Sequence, residues 1–311
     1  MKIKELEEIL DVMRKDNTSG ASEFIDKALE IVKAQLKLIK DPHRDIRNDI
    51  IYLLNRIIGT RPSMAPLINT MGYLVNNLEN FSKIIIEDRL NQFEEDEEKR
   101  KRLLASNFHN FWKDGKLKTQ KIILISYSST IINLLLENKE LNFEIYVLES
   151  RPLLEGQRVA EILSKHFKTH LIIDAAIGYF INDIDVVLIG ADSILKDGSI
   201  INKVGTFPLC LLAYTQKIEV IVVCDSFKYN LKSHYGYMIE ILKKPIKEVY
   251  NKIITNKFLE VHNFYFDITP PKYISGIISD LGVLSISKFL RKVKKTLPLE
   301  WFKYLITKKE I

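Results

Sequence analysis

The stretch Asp185–Thr206, DVVLIGADSILKDGSIINKVGT, indicates the fold of the chain more clearly than any other. It opens with an apolar run that predicts a buried strand, and Asp192 follows at the tip of that strand. A hairpin-like turn comes next, and Asn202 and Lys203 are then predicted to open a helix. In an open α/β sheet, ligands bind outside the carboxyl ends of the strands. This stretch therefore predicts a site for a small phosphorylated ligand.

Short apolar runs alternate with helical stretches from about residue 118 onward. The runs are rich in Ile and Val, and their nearly uniform hydrophobicity is typical of parallel strands covered on both faces. They are Lys121–Ser126, Glu144–Glu149, His170–Asp174, Asp185–Gly190, Glu219–Cys224 and a weaker run, Phe264–Ile268. Helices are predicted between them over Thr130–Asn138, Gly156–His166, Ala175–Phe180 and Gly205–Gln216. This βαβ rhythm predicts a Rossmann-like doubly wound parallel sheet over residues 113–311.

The first part of the chain has a helical period instead. One apolar stripe recurs at spacings of three and four, as in an amphipathic helix: Ala21, Ile25, Ala28, Leu29, Val32, Leu36 and Ile39. That helix is expected to end at Pro42, and further helices are predicted over Ile46–Ile58, from about Ser63, and over about Phe81–Leu104. Residues 1–112 are therefore predicted to form an all-helical domain, and the fold class is α/β.

Composition and charge narrow the class of protein. The 311 residues are 46% apolar and 28% charged, which is ordinary for a soluble globular chain. The net charge is +6, and the densest charge run, Glu94–Arg102, mixes both signs, which indicates a solvated helix face rather than a nucleic-acid surface. No apolar run is long enough to span a membrane, and the N-terminus lacks a signal-peptide core. We therefore expect a cytoplasmic protein with no membrane partner and no direct nucleic-acid partner.

Common cofactor and metal motifs are missing from the sequence. The two cysteines, Cys210 and Cys224, do not form a C-x-x-C pair, and the six histidines do not form an HExxH motif. GxGxxG and Walker A sequences are also absent, which disfavours a standard NAD-binding or P-loop enzyme. We expect neither a metal nor a cofactor.

Polar residues follow each predicted strand. Ser128, Ser129 and Thr130 begin a helix after the first strand, where backbone N–H groups can cradle a phosphate, although plain N-capping uses the same residue types. After the second strand, Arg151 can grip a phosphate or carboxylate bidentately, or it can pair with Glu149 and stabilise the loop. The other strand tips carry Asp174, Asp192, Asp225 and Lys228. So many polar residues at the ends of parallel strands favour a ligand-binding crevice at that edge of the sheet.

Several motifs resemble one known family. They are ESRP at 149–152, DAAIGYF at 174–180, GADSI at 190–194, INKVGT at 201–206, DSFK at 225–228 and FDITPP at 266–271. These are similar to the regulatory subunits of initiation factor 2B, a family that also contains ribose-1,5-bisphosphate and methylthioribose-1-phosphate isomerases. RPSMAPLIN at 61–69 resembles the helical domain of archaeal members. The resemblance implies the two-domain fold predicted above, a homodimer formed through the second domain, and contact with the alpha subunit of initiation factor 2.

The resemblance also implies the roles of the site residues. In the isomerases, a cysteine at the tip of the first sheet strand works with the GAD aspartate to move protons between C1 and C2 of a sugar 1-phosphate. Asp192 matches the aspartate, but Ser126 stands at the position of the cysteine, and a hydroxyl needs a partner to act as a base. Cys224 is favoured as a core cysteine. The positions that match phosphate contacts are Gly20, Ala21, Arg61, Ser128, Ser129, Thr130, Asn202, Lys203 and Lys228.

Three functions are compatible with this sequence. The first is a non-catalytic regulatory subunit that binds a nucleotide monophosphate or a sugar phosphate. The alternative is a sugar-phosphate isomerase of the ribose-1,5-bisphosphate type, with Asp192 as the proton donor. In the third, the fold serves only for assembly and binds no ligand. Ser19 stands where the ribose-1,5-bisphosphate isomerases have an arginine, so one phosphate contact of the isomerases has no counterpart here.

Overall fold

The computed structural model describes residues 3–16, 20–113, 121–297 and 299–301. Ser19 therefore lies outside the described residues. The N-terminal part is helical, as the apolar period predicts. Its helices are α1 (Ile3–Lys15), α2 (Ala21–Lys37), α3 (Arg47–Ile58), α4 (Ala65–Tyr73) and α5 (Lys83–Lys113). Helix α2 ends before Pro42, and α5 continues past Leu104 because Phe108 and Trp112 extend its buried face.

The remainder of the described chain alternates strands and helices. The strands are β1 (Lys121–Leu124), β2 (Glu144–Leu148), β3 (Lys168–Ile172), β4 (Val186–Ile189), β5 (Ser193–Ile194), β6 (Ile200–Lys203), β7 (Glu219–Val223), β8 (Phe266–Thr269), β9 (Gly276–Ser279) and β10 (Gly282–Leu284). The helices are α6 (Ser129–Glu137), α7 (Glu155–Leu163), α8 (Ile177–Phe180), α9 (Thr206–Thr215), α10 (Leu231–His234) and α11 (Ile286–Thr296). The predicted βαβ alternation is confirmed.

Seven strands form the main sheet in the order β10-β9-β7-β4-β1-β2-β3. All neighbours pair in parallel except β9 and β10, which are antiparallel. Without β10, this is the 3-2-1-4-5-6 order of doubly wound sheets. The fold class is therefore α/β, with a helical N-terminal region followed by a parallel-dominated mixed sheet.

The central strands are covered on both faces. Along β1, Ile122 and Leu124 pack into one apolar cluster, whereas Ile123 and the following Ile125 pack into another. This alternation explains why the central strands are apolar at successive positions after their first residues. Strand β3 is different because it is an edge strand and leaves Leu171 48% exposed. The prediction that every parallel strand is covered on both faces is wrong for β3.

Two sequence predictions are corrected at the small second sheet. The weak run Phe264–Ile268 is not a strand of the parallel sheet, since β8 pairs antiparallel with β6 in a three-stranded sheet. The sixth parallel strand is β9, whose Ile277 and Ile278 are fully buried. Asn202 and Lys203 do not open a helix, because they lie on β6, and α9 begins only at Thr206.

The helical part packs directly on the sheet. Buried residues of α2, α3 and α4 share one apolar cluster with residues of β1, β4 and β7. The buried Asn69 amide on α4 donates hydrogen bonds to the backbone carbonyls of Phe227 and Tyr229, which follow β7. The division of the chain between residues 112 and 113 stays a prediction, and residues 114–120 lie outside the described residues.

Candidate functional site

A cavity of about 570 Å³ lies at the carboxyl ends of the parallel strands. Its wall combines the loops that follow β1, β2, β4 and β7 with the start of α2 and the loop before α4. All predicted site residues except Arg151 line this cavity: Gly20, Ala21, Arg61, Ser126, Ser128, Ser129, Thr130, Asp192, Asn202, Lys203 and Lys228. The structure thus brings together residues from segments that are far apart in the sequence.

The N-terminus of α6 forms one side of the cavity. Ser128 is the N-cap residue, and its hydroxyl accepts a hydrogen bond from the N–H of Ile131 at 3.3 Å. The N–H groups of Ser129 and Thr130 belong to the first turn and have no acceptor within the helix. No described residue hydrogen-bonds to the hydroxyls of Ser129 and Thr130. Ser128 therefore caps the helix, while the next two residues present donors to an anion.

Lys228 contributes an unpaired positive charge. It ends the short 3₁₀ turn Ser226–Lys228, which Asp280 fixes by accepting hydrogen bonds from the N–H and the hydroxyl of Ser226 at 2.7 and 2.8 Å. Asp225 caps the same turn by accepting from the N–H of Phe227 at 2.8 Å. Among the described residues, none pairs with the Lys228 ammonium. The ammonium is therefore available to a ligand anion.

Arg61 brings a second cation from the helical part. Its guanidinium donates to the carbonyl oxygen of Asp16 and lies over the ring of Phe24, 4.1 Å from the ring centroid. Burial lowers the pKa of Arg61, while the charges of Asp16 and Asp192 oppose that change. Arg61 stays charged in this environment, since an arginine pKa lies far above neutrality.

Asp192 follows β4 and is partly exposed to the cavity. Burial raises the pKa of Asp192, the positive charges of Lys228, Lys203 and Arg61 oppose the rise, and the negative charge of Glu155 adds to it. No described residue hydrogen-bonds to its carboxyl group. Asp192 is thus a carboxyl group that burial pushes towards its protonated form, with its polar atoms free for a ligand.

Ser126 has a partner that the sequence did not indicate. Its hydroxyl donates to Oε1 of Glu155 at 2.8 Å, and the ammonium of Lys203 lies 2.6 Å from the same oxygen. Folding therefore brings to Ser126 a carboxylate that lies 29 residues away in the sequence. The other oxygen of Glu155, Oε2, is buried and has no hydrogen-bond partner.

Asn202 stabilises the strand that carries Lys203. Its amide donates to the hydroxyl of Thr206 at 3.1 Å, and that hydroxyl donates to the carbonyl of Lys203 at 2.6 Å. Asn202 and Lys203 are each only 6% exposed. These bonds fix the end of β6 against the start of α9, so Lys203 is held in the cavity wall.

Arg151 does not join the cavity. Its side chain is exposed and donates to the carbonyl of Glu248 at 3.2 Å, and its N–H donates to Asp174 at 2.7 Å. Glu149, the other predicted partner of Arg151, forms no ion pair with it among the described residues, and Arg151 contacts Asp174 and Glu248 instead. Arg151 therefore stabilises surface loops in this structure rather than facing the ligand crevice.

Sequence reasoning assigned no site role to several polar residues of the cavity wall. Glu155, Lys244 and Tyr265 are among them. The ammonium groups of Lys203 and Lys244 lie 5.1 and 4.8 Å from the centroid of the Tyr265 ring. Burial lowers the pKa of Lys244, and the nearby charges of Arg61 and Lys203 lower it further. The only sequence signal was the position of Glu155 just after the ESRP motif.

Cys224 does not replace the missing thiol. It is 2% exposed and is absent from the cavity wall, and burial raises its pKa well above the ordinary value for a thiol. The interpretation of Cys224 as a core residue agrees with this position. Among the described residues, no helix is both long and apolar enough to cross a membrane.

The helical region, the parallel-dominated sheet and the cavity at the strand ends, whose wall carries several cationic side chains, define an α/β protein. Residues 3–286 match the model of the initiation factor 2 subunit family, and the chain belongs to that family. The family resemblance seen in the motifs is therefore confirmed.

Individual relatives carry two kinds of description. A Pyrococcus horikoshii protein described as eIF-2B subunit 2-like is 31% identical over 284 residues, 89% of this chain and 95% of the relative. A ribose 1,5-bisphosphate isomerase from Methanocaldococcus jannaschii is 29% identical over 254 residues, 80% of this chain and 81% of the relative. The crystal structure of translation initiation factor eIF-2B from Pyrococcus horikoshii matches with a TM-score of 0.74 and 26% identity, over 91% of this chain and 97% of that one.

Proposed function

We propose that this chain is a regulatory, non-catalytic member of its family that binds a nucleotide monophosphate or a sugar phosphate in the cavity. The observation that carries the proposal is the unpaired ammonium of Lys228, which shares the cavity with Arg61 and the free N-terminus of α6. A phosphate would satisfy all three groups together, because helix N-termini and cations both favour anions.

The residue at the tip of β1 supports the non-catalytic part of the proposal. An alcohol is a far weaker acid than a thiol, whose reference pKa of about 8.5 can be tuned to near neutrality. The Ser126 hydroxyl donates to Oε1 of Glu155, but that oxygen is already paired with the Lys203 ammonium, so Glu155 is not a free base for the hydroxyl. Without the cysteine of the isomerases, a loss of proton-transfer rate of about 10²–10⁴-fold is expected.

We also propose that the chain acts in translation initiation. The eIF-2B descriptions of a relative and of a solved structure support a cytoplasmic function in translation initiation. The partners we propose are a second copy of the chain and the alpha subunit of initiation factor 2. A size measurement in solution and a pull-down with that alpha subunit test these two partners separately.

A thermal-shift screen tests ligand binding. Nucleotide monophosphates, ribose 5-phosphate, ribose 1,5-bisphosphate and inorganic phosphate are added to the purified chain. A ligand at 100 times its Kd adds about 2.7 kcal/mol to the free energy of unfolding, which raises the Tm visibly. If no phosphorylated compound raises the Tm, the cavity has no such ligand and only the scaffold function remains.

The second candidate function is a sugar-phosphate isomerase. It is favoured by two carboxyl groups in different environments, because burial raises the pKa of Asp192, whereas Glu155 is paired with Lys203. Such a pair can divide acid and base roles. Enzyme-like conversion of ribose 1,5-bisphosphate that is lost in Asp192→Asn would establish this function. An unchanged rate in Asp192→Asn would exclude it.

A further inference from the structure

Helix α11 carries nearly all of the excess positive charge of the chain. Its 11 residues contain no acidic residue and five cations, which are Lys288, Arg291, Lys292, Lys294 and Lys295. The net charge of the whole chain is +6, so the rest of the chain is left with only +1. The family match ends at residue 286, and all but the first residue of α11 lies beyond it. The charge is therefore a property of this helix rather than of the overall composition.

The cations of α11 project from a face that is fixed on the protein. All five are exposed, and none forms an ion pair with a carboxylate of the described residues. Lys292 donates to the carbonyl oxygen of Leu281 at 2.6 Å, which leaves its charge unbalanced. On the opposite face, Phe289 and Val293 are fully buried. Because this apolar face is already covered, α11 cannot lie in lipid as an interfacial amphipathic helix does.

The stability of the helix does not explain this charge. Cations are favourable in the last turn, where Lys294 and Lys295 lie, but Lys288 is in the first turn, at the positive end of the helix dipole. Lys288 also precedes Arg291 by three residues, and Arg291 precedes Lys295 by four, so like charges are neighbours and repel. A negatively charged partner would relieve these repulsions.

Lys196 enlarges the basic surface from a neighbouring turn. It is exposed and lies between β5 and β6, in a turn whose Gly198 packs on α11, since a Cβ atom there would lie 2.4 Å from Cγ2 of Ile286. Burial lowers the pKa of His234, and the charges of Lys294 and Lys196 lower it further, so both ammonium groups lie near this ring. Lys196 and the five cations of α11 together form what we call the α11 surface.

The α11 surface is short and is bordered by carboxylates. Lys288 and Lys295 are seven residues apart, which is about 10 Å along the helix. Exposed carboxylates lie beside this stretch, because Asp197 follows Lys196 and Glu300 follows the end of α11. A long phosphate backbone that ran past the helix would meet these negative charges.

The residue types of α11 also distinguish between the two kinds of anion. No exposed residue of α11, a helix that the structure describes in full, is an aromatic on which a nucleic-acid base could stack. Four of its five cations are lysines, whereas arginine is the preferred residue for phosphate and nucleic-acid recognition. These features favour the carboxylates of a protein over the phosphates of a nucleic acid.

We propose that the α11 surface binds an acidic segment of a partner protein, in which several carboxylates fall within about eight residues. Eight residues span about 12 Å as a helix, which matches the row of cations. A second copy of the chain cannot cover this surface with the same surface, since a twofold contact would set cations against cations. None of the six cations lines the cavity, so the inference goes beyond the proposed function and does not depend on ligand binding.

Fluorescence anisotropy with three labelled probes tests the inference. The probes are end-blocked octaglutamate, end-blocked octaglutamine and a nine-nucleotide oligouridylate, whose eight phosphodiesters match the charge of the octaglutamate. They are titrated with the wild type and with two triple variants. The α11 variant is Lys288→Gln/Arg291→Gln/Lys295→Gln. The α5 control, Lys99→Gln/Arg102→Gln/Lys113→Gln, also removes two lysines and one arginine from exposed helix positions.

The wild type should bind octaglutamate at least about tenfold more tightly than octaglutamine at low ionic strength, and added salt should weaken this binding. The α11 variant should lose about tenfold in octaglutamate affinity, because three exposed charge pairs are removed, and the α5 control should lose less than about twofold. The urea midpoint of the α11 variant should equal or exceed that of the wild type. The single variant Arg291→Glu, which reverses one charge, carries the test if the triple variant does not fold.

Three results would overturn the inference. Equal octaglutamate affinity of the wild type and the α11 variant would show that the peptide binds elsewhere. Equal losses in the two triple variants would show a general effect of net charge. Tighter binding of oligouridylate than of octaglutamate, lost in the α11 variant, would assign the surface to a nucleic acid. Each of these results leaves the proposed binding of a phosphorylated ligand in the cavity intact.

Discussion

The ammonium of Lys203 lies 2.6 Å from Oε1 of Glu155, deep in the wall of the cavity. Lys203 was expected to contact phosphate, but its charge is already balanced by this carboxylate. Lys228 has no such partner among the described residues, and Arg61 bonds only to a neutral carbonyl. The cavity thus has two cations without an ion-pair partner among the described residues, Lys228 and Arg61, and a separate pair, Glu155 and Lys203, whose charges cancel.

Replacing Lys228 should weaken ligand binding without harming the fold. Lys228→Gln removes the unpaired charge, so the Kd for inorganic phosphate should rise about 10- to 100-fold, as is typical when one charged hydrogen bond is lost. The free energy of unfolding should stay the same or increase, because no protein contact of the ammonium is broken. Calorimetry and urea unfolding measure the two effects. Lys99→Gln, an exposed change of equal charge on α5, should alter neither. Unchanged phosphate affinity in Lys228→Gln would place the anion elsewhere.

Gly156 should tolerate no side chain. In Gly156→Ala, the new Cβ would collide with the backbone carbonyl of Leu148, which cannot move without disturbing β2. The free energy of unfolding should fall by more than about 3 kcal/mol. In the control Gly178→Ala, nothing lies within 4 Å of the new Cβ, and α8 should gain up to about 1 kcal/mol. Similar urea midpoints for both variants would contradict the close approach of α7 to β2.

Asp280 should make stability depend on pH. Burial raises its pKa to about 6, and the charge of Asp225 adds to the rise. This folded-state pKa lies above the ordinary value of 3.8, so the folded protein is more stable when the Asp280 carboxyl group is protonated. That stabilisation is fully present below about pH 4 and is lost as the pH rises through about 6. Asp280→Asn removes this titration. Relative to the wild type, the variant should gain about 2 to 3 kcal/mol between pH 4 and pH 7.

Urea unfolding at both pH values measures this gain. Asp41→Asn is the control, since Asp41 is exposed and its carboxylate also accepts one backbone hydrogen bond, from His43 at 3.0 Å. The control should follow the wild type at both pH values. Equal pH dependence of the wild type and Asp280→Asn would mean that Asp280 does not titrate in this range.

Restoring a thiol should restore little activity while Glu155 is charged. In Ser126→Cys, the sulfur would lie beside the Glu155 carboxylate, and the repulsion between two negative charges disfavours the thiolate. The double variant Ser126→Cys/Glu155→Gln should therefore convert saturating ribose 1,5-bisphosphate at least about tenfold faster than Ser126→Cys alone. Phosphorus NMR follows the conversion. Adding Cys224→Ser to either variant should leave its conversion rate unchanged, because Cys224 is buried and absent from the cavity wall. A single variant as fast as the double variant would refute the electrostatic explanation.

The presence of a parallel sheet covered on both faces could be predicted, because it follows from the apolar residues within each strand. The central strands are apolar at successive positions after their first residues, and the side chains of Ile122 and Ile123 enter clusters on opposite faces of the sheet. The antiparallel pairing of β8 with β6 could not be predicted in the same way. It depends on which strand edge is free after folding, and the short run Phe264–Ile268 carries no signal for that choice.

The lining of the cavity was predictable where a motif fixes both residue and position, as at Asp192 and Lys228. Glu155 was missed because its role comes from contacts with Ser126 and Lys203, which belong to other segments. Arg151 shows the opposite error. Its place at a strand tip suggested a ligand contact, but its side chain turns to Glu248, 97 residues away in the sequence.

The most direct test of the central claim combines binding and turnover in one sample. Wild-type protein is titrated with ribose 1,5-bisphosphate in a calorimeter, and the titrated sample is then followed by phosphorus NMR. We expect saturable binding heat and an unchanged phosphorus spectrum, because the cavity holds the phosphate but lacks the thiol that moves the proton. Conversion to the ketose bisphosphate at an enzyme-like rate, or the absence of any binding heat, would contradict the claim.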